Sequence, residues 1–470
     1  MSFPTYPAYN DSGVEWLGEV PEHWAILSLK RSVDGCTNGL WGDEPDGEND
    51  LAVIRVADFD RATRRVGLDK LTYRSVTQKE RASRLLQSGD LLIEKSGGGE
   101  KTLVGCVVLF EHEFQAITSN FVARMRSLPS FDSGFLCYAF DSLYQGKVNF
   151  PAIKQTTGIQ NLDSESYLQE RFCFPTLAEQ TQIARFLDHE TARIDALIEE
   201  QQRLVELLKE KRQAVISHAV TKGLDPTVPM KDSCVEWLGE VPAHWNVIRL
   251  GQNVRTRKGF AFSAADFSDE GAAVVKASDI KNHSINEPST FIGFEFLKKT
   301  PNAILKKGNL VLSTVGSTPD VKNSAVGQIG CVPEHLDGAL LNQNTVIFEP
   351  ADSKVTSEYL FFALLTTAYR DHLDLNAHGT ANQASLSLSD MLSFYIPLPS
   401  LDEQKAITSE LSRVFEDVKA LERESESLVG FLTERRSALI SAAVTGKIDV
   451  RGWQPPISTQ APKFEVAEAV

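Results

Sequence analysis

The sequence predicts two α/β (α+β) domains in tandem, joined by two long helices that form an intramolecular antiparallel coiled coil, the whole built as a pseudo-two-fold internal duplication. Three observations predict it: a repeat that recurs about half a chain apart, two proline-free stretches with heptad-spaced apolar residues, and β-rich segments punctuated by turn residues between them.

The repeat opens with Val14-Glu15-Trp16-Leu17-Gly18-Glu19-Val20-Pro21, which returns as Val235-Glu236-Trp237-Leu238-Gly239-Glu240-Val241-Pro242, while His23-Trp24 returns as His244-Trp245. It continues weakly. Val53-Ile54-Arg55-Val56-Ala57-Asp58 answers to Val274-Val275-Lys276-Ala277-Ser278-Asp279, and Gly89-Asp90-Leu91-Leu92-Ile93 to Gly308-Asn309-Leu310-Val311-Leu312. It strengthens where Pro175-x-Leu177-x-Glu179-Gln180 returns as Pro399-x-Leu401-x-Glu403-Gln404, and Ile216-Ser217-x-Ala219-Val220-Thr221 as Ile440-Ser441-x-Ala443-Val444-Thr445. Similar starts and ends around divergent middles separate a shared framework from two regions free to differ. A duplicated domain whose middles merely drifted is the plainer alternative.

In chain order, residues 1–174 form the first mixed domain. Leu51 to Val56, Asp90 to Glu94, Val104 to Phe110 and Asn120 to Met125 read as strands between Gly-, Ser- and Asp-rich turns, and Phe135 to Tyr144 reads as a helix. Residues 175–223 form the first long helix, with a seam of Ile183, Leu187, Ile194, Leu197, Leu204, Leu208 and Val215, and with Glu190, Gln201 and Lys211 in the remaining slots. Pro175 precedes it and Gly223 follows. Residues 224–398 hold a short linker and the second mixed domain, with Glu358 to Asp371 read as one helix. Residues 399–447 form the second long helix, with a seam of Ile407, Leu411, Val414, Val418, Leu421, Leu428, Leu432 and Leu439, and with Ser425 and Arg435 matching Gln201 and Lys211. Residues 448–470 read as a disordered tail. Each long helix spans roughly 40 residues, hence about 60 Å. Neither can bury its stripe alone, so each is the other's natural partner. Two halves with the same order of parts and a linker as short as Leu224 to Asp232 make the helices antiparallel, with one domain at each end.

Composition bounds the function. With 42% hydrophobic and 24% charged residues the chain reads as soluble and globular. It has no run of about 18 apolar residues, and Met1 to Asn10 has neither a basic region nor an apolar stretch, so no membrane partner is expected and the cytoplasm is the expected compartment. Six cysteines without C-x-x-C spacing, mostly in apolar strand-like context, read as reduced structural thiols, and nine histidines without H-E-x-x-H leave no metal site. Phosphate-loop, nucleophile-elbow, zinc-deaminase, adenine-methylation and S-adenosylmethionine-binding motifs are all missing, so no catalytic residue is assigned. Asp320-x-Lys322 resembles a fragment of a nuclease motif but has no second acidic strand beside it. Ser96-Gly97-Gly98-Gly99-Glu100-Lys101 reads either as a phosphate cradle or as a tight turn after a strand.

The net charge of −15 argues against a simple DNA-binding chain, since phosphate neutralisation calls for excess Lys and Arg. Cations nevertheless cluster at Arg55, Arg61, Arg64, Arg65, Lys70 and Arg74, and again at Arg249, Arg255, Arg257 and Lys258. Two compact domains on a rigid helical pair suit two short DNA segments separated by an unread spacer. Turns able to present amides and hydroxyls to base edges lie at Thr37-Asn38-Gly39, Thr156-Thr157-Gly158-x-Gln160-Asn161 and Gly379-Thr380-x-Asn382-Gln383.

Trp16-Leu17-Gly18-x-Val20-Pro21-x-x-Trp24, Gly89-Asp90-Leu91-Leu92-Ile93, and Pro-x-Leu-x-Glu-Gln before a long helix, each found twice, resemble the pattern of the specificity (S) subunits of Type I restriction–modification enzymes, the HsdS family. The resemblance covers nearly the whole chain and departs only in details such as Asn309 for Asp90. It implies two target-recognition domains, each reading one half of a bipartite, asymmetric double-stranded DNA site. It also implies helices that dock two modification (methyltransferase) subunits and set the half-site spacing. S-adenosylmethionine for adenine N6 methylation is then carried by those subunits, and ATP and Mg by a restriction and translocase subunit that joins them, leaving no cofactor and no catalysis on this chain. The DNA-contact candidates are Thr37, Asn38, Arg55, Arg61, Arg64, Arg65, Lys95, Ser96, Lys101, Thr157 and Gln160 in the first half, and Arg255, Arg257, Lys258, Lys276, Thr380, Asn382 and Gln383 in the second. Trp16, Trp24, Trp237 and Trp245 are expected to be framework. The competing readings are a coiled-coil scaffold with two protein- or glycan-binding domains, and a self-contained DNA methyltransferase or endonuclease, which the missing motifs disfavour.

Overall fold

Continuous runs of Val, Leu and Ile fold into sheets twice over in this chain, with four strands in the same order each time. The computed structural model describes residues 3–97, 102–156, 158–317, 324–380 and 383–456. Lys101, Thr157, Asp320, Lys322, Asn382 and the side chain of Thr380 therefore lie outside the described residues, as does the chain after Pro456. The chain divides into two compact units, Met1–Gln201 with Ser427–Val470, and Gln202–Glu426.

In the first unit, β1 (Thr37–Asn38), β2 (Phe59–Asp60), β3 (Arg65–Val66), β4 (Asp90–Glu94), β6 (Val107–Phe110) and β7 (Val122–Met125) form a six-stranded sheet in the order β1-β7-β4-β6-β3-β2. Successive residues of β4 face opposite ways. Leu91 and Ile93 enter a large core with Met125, helix α1 (Ser133–Gln145) and Ile183, Phe186 and Leu187 of the long helix α2 (Leu177–Lys222), whereas Leu92 joins Val108 and Val122 on the other face. Short strand β5 (Ser96–Gly97) leaves this sheet to pair with β9 (Ile159–Leu162), which also pairs antiparallel with β8 (Ile153–Thr156).

The second unit repeats the plan. Its central sheet runs β10-β14-β11-β13, with β10 (Val254–Lys258), β11 (Leu310–Ser313), β13 (Ile329–Cys331) and β14 (Thr345–Pro350) standing where β1, β4, β6 and β7 stand in the first. Short strand β12 (Val315–Gly316) pairs with β16 (Gln383–Ser385), the partner of β15 (His378–Thr380). The predicted single helix at Glu358 to Asp371 is instead two, α3 (Ser357–Leu364) and α4 (Thr367–Leu375). Buried Thr366 adopts an extended conformation at the break, and the Leu365 carbonyl accepts a hydrogen bond from Gln213 Nε2 of α2 at 2.7 Å.

The second long helix is α5 (Leu401–Val444). Each unit, taken alone, holds an antiparallel pairing of α2 with α5. In the first, Gln182 Nε2 donates to the carbonyls of Val450 and Trp453 just beyond α5, while Asp195, further along α2, pairs with Arg436. In the second, Ile216, Ala219 and Val220 share a core with Ile407 and Leu411, while Arg212 lies 3.6 Å from Glu422.

The seam differs from the expected one by a single residue on one side. Ile194, Gln201, Leu208 and Val215 are at least half-buried, as expected, but their alternating partners are Ile198, Val205 and Arg212, while Leu197, Leu204 and Lys211 are exposed. The same correction applies to α5, where Glu422, Val429 and Arg436 turn inward and Leu421, Leu428 and Arg435 turn out. Ser425, matched to Gln201, is buried as a seam residue. A second correction concerns the tail, which packs as far as Trp453. Asp449 N donates to the Pro4 carbonyl, Val450 is buried, and the Trp453 ring meets Phe186 edge-on at 5.4 Å. Apolar burial holds this stretch, which its proline-rich sequel conceals in the composition.

Candidate nucleic-acid interface

The repeated motifs build framework. Trp24 Nε1 donates to Glu179 Oε1 at 3.3 Å and His23 lies 3.0 Å from Oε2, and in the second unit Trp245 and His244 meet Glu403 Oε1 at 3.0 and 2.7 Å. Burial pushes the Glu403 carboxyl up, but hydrogen bonds from Trp245, His244 and Ser400 outweigh it and hold the group at about 2. The neighbouring glutamines are buried clamps. Gln180 accepts from Asp132 N and donates to the Pro175 carbonyl, and Gln404 accepts from Thr356 N and donates to the carbonyls of Lys354 and Pro399. Trp16 stacks on Phe172 and Trp237 on Phe394, so all four repeated tryptophans pack on framework.

On this framework the divergent segments meet at one edge of each unit. In the first, Lys95 Nζ donates to Asn38 Oδ1 at 2.9 Å, Ser96 Oγ donates to Asn161 Oδ1 at 2.6 Å, and Gln160 Oε1 accepts from Val104 N at 3.1 Å. Thr37, Asn38, Lys95, Ser96 and Gln160, far apart in sequence, thus belong to one strand cluster. Gly39 allows it: a Cβ there would lie 2.1 Å from the Thr118 carbonyl oxygen. Gly259 does the same in the second unit, where a Cβ would lie 1.9 Å from the carbonyl oxygen of Asn342, next to Lys258 at the end of β10.

Most of the arginines are not at these edges as free charges. Arg64 is a correction: it is 4% exposed, stacked 4.8 Å over the Tyr138 ring, hydrogen-bonded to the Ala62 carbonyl and Thr191, and 3.9 Å from Asp141, so it ties α1 to α2 and offers nothing to a phosphate. Arg61 pairs with Glu94 at 2.6 Å, and Arg65 bridges Glu111 and Asp188. Arg55 pairs with Asp58, Arg257 with Glu349, and Lys276 donates to Thr290 while lying 4.9 Å from the Phe267 ring centre. Among the described residues, no carboxylate lies within ion-pair distance of Lys95, Arg255, Lys258 or Lys276, and of these Arg255 and Lys258 are exposed.

The sequence reading overlooked the apolar side of the first edge. Trp41, Phe121 and Ile159 are each more than a third exposed and line a concavity of about 360 Å³ with Arg55, Ser96 and Ser119. No sequence signal joins residues so far apart; only the strand pairing does. Among the described residues no group of three or more His, Cys, Asp or Glu is placed to hold a metal, and no helix is long and apolar enough to cross a membrane. All six cysteines are free, and burial pushes the Cys106 and Cys137 thiols up to about 12, Cys137 lying on the helix expected there.

Comparison with known proteins agrees with this arrangement. Residues 242–428 match the family model of the Type I restriction modification DNA specificity domain. The chain is similar to the specificity subunits of Type I restriction–modification systems. Among curated specificity subunits, it is 26% identical to the Type I restriction enzyme MjaVIII specificity subunit of Methanocaldococcus jannaschii, over 67% of this chain and 70% of that one. It is 21% identical to the Type I restriction enzyme EcoKI specificity subunit of Escherichia coli strain K12, over 79% and 77%. A chain from a solved type I R-M system, studied for complex assembly and conformational transition, shares the fold: TM-score 0.63 at 16% identity, covering 90% of this chain and 98% of that one. The shared fold includes the duplicated mixed domains and the paired long helices.

Proposed function

We propose that each target-recognition domain of this specificity subunit reads one half of a bipartite, asymmetric DNA site, and that the paired helices dock two modification subunits and set the half-site spacing. The chain itself makes and breaks no bonds. S-adenosylmethionine sits on the modification subunits, ATP and Mg on a restriction subunit that joins them, and the assembly works in the cytoplasm. The observation that carries the reading is the repeated edge: in both units the divergent segments converge on the same strands of a shared framework, which is how one scaffold holds two different recognition surfaces.

The helices support the docking half of the proposal. Leu197, Leu204 and Leu207 of α2 stand at the same repeat positions as Leu421, Leu428 and Phe431 of α5, and all six are exposed. The first unit carries Leu197, Leu428 and Phe431, and the second Leu421, Leu204 and Leu207, so each unit displays the same three positions. Exposed apolar residues at duplicated sites suit two copies of one partner. The net charge of −15 fits a complex whose other subunits supply most of the phosphate neutralisation. The test is exchange of residues 24–173 for the corresponding segment of another specificity subunit, followed by mapping of methylated sites. The expected result is a changed sequence in one half of the motif only. A motif changed in both halves, or in neither, refutes the assignment.

A further inference from the structure

Resting on that reading, we infer that the two domains read DNA by different chemistry: the first recognises the 5-methyl group of a thymine through an apolar concavity, which the second domain replaces with side-chain amides. Matching positions follow from strand register alone. Gly97 pairs with Gln160 and Gly316 with Ala384, so Ile159 corresponds to Gln383. Lys95 N donates to the Phe121 carbonyl and Thr314 N to that of Asn344, so Phe121 corresponds to Asn344. Ser119 N donates to the Ile54 carbonyl and Asn342 N to that of Val275, so Ser119 corresponds to Asn342. Where the first domain presents Phe121 and Ile159, the second presents Asn344 and Gln383, and buried Ser119 gives way to half-buried Asn342.

Phe121 and Ile159 belong to a concavity. In the first unit it is walled by Trp41, Phe121 and Ile159, and the ring of Trp41 is held 4.8 Å from the Arg74 guanidinium. A concavity of about 570 Å³ in the second unit shares only the matching stretch Ala277–Ser278 and Gly316 with it, and is otherwise lined by Ile280, Asn282, Ser317, Ala325 and Gln328. A rigid apolar wall with an aromatic and a β-branched side chain is the surface that distinguishes thymine from cytosine in the major groove, whereas amides match the N6 and N7 edge of adenine. The rim fits a polyanion. Lys95 and Arg84 both reach Asn38, through its side-chain oxygen and its carbonyl respectively, and among the described residues neither has a carboxylate within ion-pair distance.

The test uses the assembled complex of this chain with its modification subunit and duplexes carrying its mapped target. Each thymine is replaced in turn by deoxyuridine, which removes the methyl group and leaves the hydrogen-bonding edge intact. Removal at one thymine of the first domain's half-site is expected to weaken binding roughly fourfold, the worth of one buried methyl group, with no such position in the other half. Phe121→Asn is expected to abolish that discrimination while the second half-site is read as before. A first half-site without thymine on either strand, or indifference to methyl removal there by a sequence-specific complex, overturns the inference and leaves the proposed function standing. Discrimination that survives in Phe121→Asn also overturns it. A complex without any sequence preference overturns both.

Discussion

Gln404 is fully buried and makes three backbone contacts: Nε2 donates to the Lys354 carbonyl at 2.7 Å and to the Pro399 carbonyl at 3.0 Å, and Oε1 accepts from Thr356 N at 2.9 Å. Thr356 caps α3, so this side chain clamps the start of α3 to the start of α5. Gln404→Leu keeps the volume and removes all three contacts. Lys354 is exposed, and water can replace the bond to its carbonyl, but Pro399 is buried and Thr356 only half-exposed. With about 1–3 kcal/mol for each stranded group, the loss is about 3 kcal/mol. For a cooperative unit of this size that is a fall in melting temperature of roughly 6–12 °C. Differential scanning calorimetry measures it, and hydrogen exchange of peptides across Asp352 to Leu360 shows whether the opening is local to the clamp. Gln180, with two contacts of the same kind, should lose less on Gln180→Leu, about 2 kcal/mol. A Gln404→Leu protein with unchanged melting and unchanged exchange at Asp352 to Leu360 would refute the reasoning.

Three further predictions concern the helices and the framework glutamate. Leu204→Asp should leave the melting temperature of the isolated chain within error of wild type, whereas Val205→Asp, on the seam, should cost about 1–3 kcal/mol; equal effects contradict the register. Leu204→Ser with Leu207→Ser should leave the chain folded but reduce the modification subunits bound per chain from two to one, read by native mass spectrometry. Glu403 is held at about 2 in the fold, below its ordinary 4.5, so its stabilisation is complete above pH 4.5 and is lost as pH falls towards 2. Glu403→Gln should therefore flatten the pH dependence of the urea midpoint across that window while lowering stability at neutral pH. An unaltered slope would show that the hydrogen bonds from Trp245 and His244 do not favour the charged form.

The sequence made the long helices legible because an uninterrupted seam between breakers has few alternatives, yet it left their phase open. Ile194, Gln201 and Leu208 satisfy either choice of flank, and Leu197 beside Ile198, like Leu204 beside Val205, gives an apolar residue on both sides. Only the partner helix decides which is covered. The framework was legible for a related reason: Trp24 and Glu179 hydrogen-bond to each other and Gln180 to backbone, contacts that their counterparts repeat in the second unit, so the residues recur within a single chain. The arginine clusters misled because charge was counted along the chain, while Glu94, Glu111, Asp141 and Asp188, which pair with Arg61, Arg65 and Arg64, come from elements far away in sequence. The recognition edges were half-legible. Turn residues flagged Asn38, Ser96 and Gln160, but Trp41, Phe121 and Ile159 carry no local signal and meet only through strand pairing.

The central claim is that this chain directs where its complex acts on DNA, and genome-wide mapping of N6-methyladenine tests it most directly. Cells carrying the chain with its modification subunit should show a bipartite methylated motif that vanishes when only this chain is deleted. Methylation unchanged by the deletion, with the modification subunit still expressed, would contradict the account.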